Sequence, residues 1–372
     1  MGKHLIFLVH GMGRYGVFED GAFKPNQKGW FAEAVSALRS SYDTFAKTGI
    51  GGGVDFDQRF DVVPILYDDV FEHVRTAWAK QAEAWTQLGL TSGFIGQVRQ
   101  VLEQKDKDAF LWTHAADVAF YAIPIVRENV KLAVVDQMLA ELSKRISAGP
   151  FDSWTIIGHS LGTAVVHDSM RLLQHRAIET FQQWLPPRGV CMIANVARAL
   201  SDKDATAYDE VMAPTDPTWE RPGYYLNINH ALDPFTRIDP FAPTTGGWVA
   251  PGSRYRNLSG LKDFLLTKEV IDWAEDRTDM DKFAALVPHG FTHYLRQPRV
   301  VSNLWCALLA KNVQIYGHGI ETAVSGANQH VLRKDMGDFL EGELAHLLPQ
   351  ADAVKEKTIG AFLAILQGLG GL

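Results

Sequence analysis

The stretch 154–166 joins an apolar run, a glycine-flanked serine and a segment compatible with a helix. The run Trp154–Ile157 reads as a strand, and Gly158-His159-Ser160-Leu161-Gly162 follows it directly. G-x-S-x-G between a strand and a helix is typical of a nucleophile elbow: the serine occupies a strained turn, and the glycines allow the backbone to pack closely around it. The sequence therefore predicts that the Ser160 hydroxyl lies beyond the carboxyl end of a strand, at the start of a helix.

The five-residue pattern alone is weak, since chance supplies it in roughly one chain of this length in ten. Its context is stronger, because short apolar runs alternate with helical patterns along the whole chain. The predicted strands are Leu5–Val9, Phe60–Tyr67, the strand before Ser160, Gly189–Ala194, Tyr224–Asn229 and Tyr255–Leu258. The predicted helices include Trp30–Leu38, Arg127–Ile146, a helix from the elbow to about Leu173, Phe264–Ala285, Pro298–Leu309 and Val354–Leu369. This alternation predicts an α/β fold with a mainly parallel central sheet and helices on both faces.

No linker or internal repeat divides the sequence, so we expect a single domain over residues 1–372. A helical pattern rich in Trp, Ala and Gln at about 70–125 predicts an insertion in that domain. Its apolar stripe allows two interpretations, a cap over an acyl pocket or a helical layer packed on the sheet. The residues of this stripe are Trp78, Trp85, Phe94, Ile95, Phe110 and Trp112.

Composition excludes several classes of function. The formal net charge is −7 and the chain has no basic cluster, which argues against a nucleic-acid surface. No apolar run reaches the roughly 20 residues of a membrane span, and the N-terminus does not resemble a secretory signal. The two cysteines, Cys191 and Cys306, are far apart and are predicted to be buried free thiols. Because free thiols persist in a reducing compartment, a cytoplasmic setting is expected.

The sequence also predicts no cofactor and no metal. It contains neither G-x-G-x-x-G after a strand nor the phosphate-binding pattern G-x-x-x-x-G-K-[ST]. Cysteines and histidines do not cluster at the spacing of metal ligands.

A serine nucleophile needs a base, an acid that holds the base, and donors for the oxyanion. The loop after the first strand, His10-Gly11-Met12-Gly13, is suited to the last role. We expect the backbone N–H groups of Met12 and Leu161 to form the oxyanion hole. His10 and His159 can orient the backbone of these loops.

The acid is predicted to be Asp233, because it lies just past the end of a strand and before a proline; Asp239 and Asp216 are less well placed. Chain order then requires a histidine after Asp233. His289 and His293 both lie in a loop directly before a helix, and both remain candidates. His293 is preferred narrowly, because it abuts the start of that helix.

Three segments resemble α/β-hydrolases, specifically intracellular lipase-type members related to the DDHD-domain phospholipases. They are Asp117–Pro124 (D-V-A-F-Y-A-I-P), the elbow with His167-Asp168 after it, and Asn227–Pro240 (N-I-N-H-A-L-D-P-F-T-R-I-D-P). The resemblance implies an α/β-hydrolase fold and a hydrolase with Asp233 as the triad acid. The chain lacks the family's DDHD tetrad, so the hydrolase class is implied and phospholipid as the substrate is not.

The sequence thus predicts a serine hydrolase that cleaves a carboxylic ester, of a small molecule or a lipid, through Ser160, a histidine and Asp233. The bond could also be a thioester or an amide, and acyl length, head group and oligomeric state stay open. The alternative is a non-catalytic protein on a hydrolase fold, one that binds lipid or remodels membranes. Peripheral contact with a membrane is compatible with either.

Overall fold

The fold is described from a computed structural model of the chain. The structure describes residues 2–11, 16–19, 22–25, 29–50, 52–74, 76–77, 117, 120–149, 153–183, 185–200, 224–231, 233, 235–237, 240, 255–261, 289–309, 311 and 313–327. The predicted insertion at 70–125 lies largely outside these residues, as do the predicted helices Phe264–Ala285 and Val354–Leu369.

A six-stranded, all-parallel sheet forms the centre of the described structure, which confirms the predicted α/β class. Its strands are β1 (His4–Val9), β4 (Phe60–Ile65), β5 (Trp154–His159), β6 (Gly189–Ile193), β7 (Tyr225–His230) and β8 (Tyr255–Leu261). The strand order is β4-β1-β5-β6-β7-β8. A separate antiparallel pair consists of β2 (Gly16–Glu19) and β3 (Ala22–Pro25).

Helices connect these strands, as parallel pairing requires. Their bounds are α1 (Trp30–Ala46), α2 (Phe56–Arg59), α3 (Pro124–Ala148), α4 (Leu161–Phe181), α5 (Ala197–Leu200), α6 (Phe291–Leu295), α7 (Pro298–Leu308) and α8 (Val313–Ala327), with a 3₁₀ turn at Phe235–Arg237.

The sheet is covered on both faces, which explains why its central strands are buried along their whole length. Leu5, Phe7 and Val9 join one buried cluster with α3 and α4, whereas Ile6 and Leu8 join another with α1 and α7. Every residue of β1, β5 and β7 is buried. Successive strand residues face opposite sides, so an uninterrupted apolar strand needs a helical layer on each side. The helical spacing of Val130, Val134, Met138 and Leu142 in the sequence predicts one apolar face of α3, and all four residues are buried.

The strand order creates a crevice between β1 and β5. From β1 the chain moves outward to β4 on one side, and from β5 it moves outward to β6, β7 and β8 on the other. Ligands of parallel α/β sheets bind beyond the carboxyl ends of the strands at such a switch point. Val9 pairs with Gly158, so the loops that begin at His10 and Ser160 leave the sheet side by side.

Three further features can be compared with the sequence. Pro64 within an apolar run favours an edge strand or a bulge, and β4 is the outermost strand on its side of the described sheet. Cys191 in β6 and Cys306 in α7 are both buried and free, as predicted. Among the described helices, none has the length and apolar character to cross a membrane.

Candidate active site

Ser160 occupies a strained turn between β5 and α4, as the sequence predicts. Its φ and ψ are 54° and −126°, a region that L-residues rarely adopt. The strain is held by the strand before the turn and the helix after it. The N–H of Ser160 donates to the carbonyl of Ile193 on β6 (3.0 Å), so its main chain is fixed to the sheet.

Gly158 and Gly162 are needed because main chain lies against both. A Cβ at Gly162 would overlap the carbonyl of His10, and one at Gly158 would lie 3.0 Å from the carbonyl of Gly162. These obstacles are backbone atoms, which cannot move aside as a flexible side chain can. Gly162 therefore lets α4 approach the end of β1, beside the predicted oxyanion loop, and Gly158 lets the start of α4 pack closely on β5.

Ser160, His289 and Asp233 form one continuous chain of hydrogen bonds. The Ser160 hydroxyl donates to Nε2 of His289 (2.7 Å), and Nδ1–H of His289 donates to Oδ2 of Asp233 (2.9 Å). All three residues are buried, with exposed fractions of 2%, 7% and 0% in that order. In this tautomer Nε2 carries no proton, so it can accept the proton of the Ser160 hydroxyl.

The surroundings of Asp233 favour its charged form. Burial alone would raise its pKa, but attraction to the protonated form of His289 and the hydrogen bonds from His289, Tyr294 and the N–H of Phe235 hold the pKa below its ordinary value. The Tyr294 hydroxyl lies 2.7 Å from Oδ2, and the Phe235 N–H lies 3.1 Å from Oδ1. Asp233 is therefore an ionised acceptor at neutral pH, although it is fully buried.

Tyr294 is a part of this site that the sequence analysis missed. Its hydroxyl accepts the N–H of His230 (2.9 Å) while it donates to Asp233. Burial and the adjacent carboxylate raise the pKa of Tyr294 well above its usual value, so it remains a donor. It therefore ties the end of β7 to the acid; its position directly after His293 was the available signal.

The structure places His289, and not the preferred His293, beside Ser160. His289 lies in the loop before α6 and reaches Ser160, whereas His293 lies within α6. The His293 ring stands edge-on to His230, with centroids 5.4 Å apart, and its Nε2 lies 3.2 Å from the Gln297 amide nitrogen. The helix begins at Phe291, so His289 precedes it and His293 lies inside it. Within this helix, Tyr294 is the residue that contacts Asp233.

His159, the second residue of the elbow, holds the loop that carries His289. Its Nε2–H donates to the backbone carbonyl of His289 (2.7 Å), and its ring stacks near Trp30 with centroids 5.8 Å apart. Burial and then the neighbouring His289 lower the pKa of His159 to about 3. It is therefore neutral at physiological pH and acts as a hydrogen-bond donor to the loop.

The predicted oxyanion region is described only in part. Gly11 packs directly on the nucleophile, since a Cβ there would lie 2.8 Å from Cβ of Ser160. Leu161 is the first residue of α4, where an N–H has no acceptor within its own helix. Met12 lies outside the described residues, as do Asp216 and Asp239.

Thr163 connects the elbow to the neighbouring loop and was also missed by the sequence analysis. Its hydroxyl donates to the carbonyl of Ser160 (2.6 Å) and accepts the N–H of Val196 (3.0 Å). The first turn of α4 is thereby held to the segment that follows β6.

His167 and Asp168, which contributed to the resemblance, lie on α4 beyond this site. The Tyr121 hydroxyl donates to Asp168 (2.7 Å), and the Arg127 guanidinium lies 3.8 Å from the same carboxyl. Burial nevertheless outweighs these partners and raises the pKa of Asp168 to about 6. The pair belongs to the packing between α3 and α4.

This shift predicts the pH dependence of an Asp168→Asn variant. Between about pH 4 and 6 the folded state holds a proton that the unfolded state releases, so Asp168 costs stability as the pH rises through 6. Relative to the wild type, Asp168→Asn should gain on the order of 2 kcal/mol from pH 4 to pH 7. Urea unfolding of both proteins across this range measures the gain; a constant difference would contradict it.

Comparisons with known proteins add no assignment: no family model, curated protein or solved structure matches the chain. Among the described residues, no group of three His, Cys, Asp or Glu side chains could hold a metal ion. The interpretation of the site therefore depends on its geometry.

Proposed function

We propose that this chain is a serine hydrolase of the α/β-hydrolase fold that cleaves carboxylic esters through an acyl-enzyme. The observation that carries the proposal is the chain of hydrogen bonds from Ser160 through His289 to Asp233. The three residues come from three separate loops, following β5, preceding α6 and following β7. A charged acid, a base in the required tautomer and a strained serine are the parts that acyl transfer needs.

In the proposed reaction, Ser160 Oγ attacks the ester carbonyl while its proton moves to Nε2 of His289. Asp233 holds Nδ1–H and stabilises the imidazolium that results. The tetrahedral intermediate carries its negative charge on the former carbonyl oxygen, which the N–H groups of Leu161 and Met12 would stabilise. Collapse breaks the ester C–O bond, and His289 returns the proton to the departing alkoxide. Water, deprotonated by His289, then hydrolyses the acyl-enzyme.

The position of the site supports this proposal. Ser160 follows β5 and Gly11 follows β1, so both lie at the switch point of the sheet. A small-molecule or lipid ester is the substrate class we infer, with no cofactor. A cytoplasmic setting belongs to the same proposal, supported by the two buried free thiols.

Covalent labelling with an alkyl fluorophosphonate tests the proposal. This reagent phosphonylates a serine that is activated by a histidine, so the folded wild type should take up one group, mapped by mass spectrometry to the peptide that contains Ser160. Ser160→Ala should remain unlabelled, as should the heat-denatured wild type.

An unlabelled Ser160 in the folded wild type would contradict the proposal. If the protein also bound liposomes in a flotation assay, that result would favour the lipid-binding alternative.

A further inference from the structure

The Tyr67 hydroxyl contacts two consecutive backbone carbonyls of the predicted oxyanion loop. It donates to the carbonyl of His10 (2.7 Å) and also lies within hydrogen-bonding distance of the carbonyl of Gly11 (3.1 Å). Tyr67 is fully buried and follows β4, the strand that pairs with β1. A residue 56 positions from Gly11 in sequence thus holds the main chain that leaves β1.

His10 supplies a second donor to the same carbonyl. Its Nδ1–H lies 2.7 Å from the carbonyl of Gly11. The His10 ring stacks on the Tyr67 ring with centroids 4.2 Å apart and planes 6° apart, and its Nε2 lies 3.4 Å from Oδ1 of Asp68. The orientation of the His10 ring is therefore fixed by stacking on Tyr67 and by its hydrogen bond to the Gly11 carbonyl.

Two donors on one carbonyl constrain a whole peptide unit. A peptide is planar, and in its trans form the N–H points away from the C=O. The carbonyl of Gly11 and the N–H of the next residue belong to one such unit, and that N–H is the one we expect to stabilise the oxyanion. Fixing the direction of the Gly11 carbonyl thus constrains the direction of this N–H.

We propose that Tyr67 is a positioning residue that orients the oxyanion loop through the carbonyls of His10 and Gly11. The inference rests on the proposed function. The Tyr67 hydroxyl acts through main-chain carbonyls, so its effect is on the stabilisation of charge in the transition state. Preorganised donors are effective because they do not reorganise during the reaction.

Tyr67→Phe removes one oxygen atom and leaves the ring stacked on His10. Its matched control is Tyr42→Phe, because the Tyr42 hydroxyl is likewise buried and donates to a backbone carbonyl, that of Val54 (2.8 Å), away from the site. For p-nitrophenyl butyrate, Tyr67→Phe should lower kcat about five- to ten-fold, the usual worth of one buried hydrogen bond, with KM within about two-fold.

A trifluoromethyl ketone gives a readout that a merely structural role would not move. Its carbonyl carbon forms a hemiketal with the serine, and the oxyanion of this hemiketal is stabilised by the oxyanion hole. The matching methyl ketone does not form the hemiketal. Tyr67→Phe should weaken the first inhibitor by about the same factor as kcat and leave the second unchanged. Tyr42→Phe should change neither, although both variants lose stability.

Unchanged kcat and unchanged trifluoromethyl ketone affinity in a folded Tyr67→Phe protein would overturn the inference and leave the proposed function standing. If the variant does not fold, His10→Phe decides, because it keeps an aromatic ring and removes the other donor to Gly11; an unchanged kcat there also overturns the inference. A wild type that neither hydrolyses the ester nor binds the ketone covalently would overturn both proposals.

Discussion

Ser160→Ala should reduce kcat for a short-chain p-nitrophenyl ester by about 10⁴- to 10⁶-fold, with the fold intact. The nucleophile is lost, and the residual rate would come from the oxyanion donors and substrate binding alone. The variant should fold because the φ of 54° is imposed by β5 and α4, and alanine meets the same strain as serine there. Steady-state kinetics, with circular dichroism to verify folding, measure the effect.

Ser169→Ala is the matched control for this substitution. Ser169 lies on the same helix and is equally buried, but its hydroxyl has no hydrogen-bond partner among the described residues. Removing an unsatisfied hydroxyl should leave activity within about two-fold and stability equal or slightly higher. Turnover by Ser160→Ala at the rate of Ser169→Ala would exclude Ser160 as the nucleophile.

His289→Ala should be nearly as severe as Ser160→Ala, because the serine proton then has no acceptor within reach. In addition, the double variant Ser160→Ala/His289→Ala should lose little more than either single variant, since residues that act as a unit are strongly non-additive. Measuring kcat/KM for the wild type, both single variants and the double variant completes this cycle.

His293→Ala is the internal control, four residues along the same segment. His293 contacts Gln297 and His230 rather than Ser160 or Asp233, so its removal should cost less than about ten-fold, through local packing of α6. A larger loss for His293→Ala than for His289→Ala would reverse the assignment of the base.

The fold was predictable where local pattern determines it. Short apolar strands, glycine turns and one amphipathic helix sufficed for an α/β assignment, and Pro64 indicated an edge or a bulge. Local pattern did not reveal the strand order, because pairing joins segments distant in sequence. The length of α4 was underestimated: the helix continues from Leu161 to Phe181 and ends at Gln182 in the left-handed region.

The residues of the candidate site were likewise predictable only where a local pattern marks them. Ser160 and Asp233 carry local signals, the elbow and the strand end, and the structure brings both to the same histidine. The choice between His289 and His293 depends on where a helix begins, which a sequence defines only to within a few residues. Tyr294 and Tyr67 contact residues that are distant in sequence, so spacing alone identified neither, although Tyr294 directly follows His293.

The acyl-enzyme itself is the most direct test of the central claim. When p-nitrophenyl acetate is mixed with the wild type, a covalent acetyl group should form on Ser160 and disappear at rates consistent with turnover. Quenched-flow sampling with peptide mass spectrometry measures both rates. The account predicts this species in the wild type and its absence in Ser160→Ala. Ester hydrolysis by the wild type with Ser160 never acylated, or with the acetyl group turning over on another residue, would contradict it.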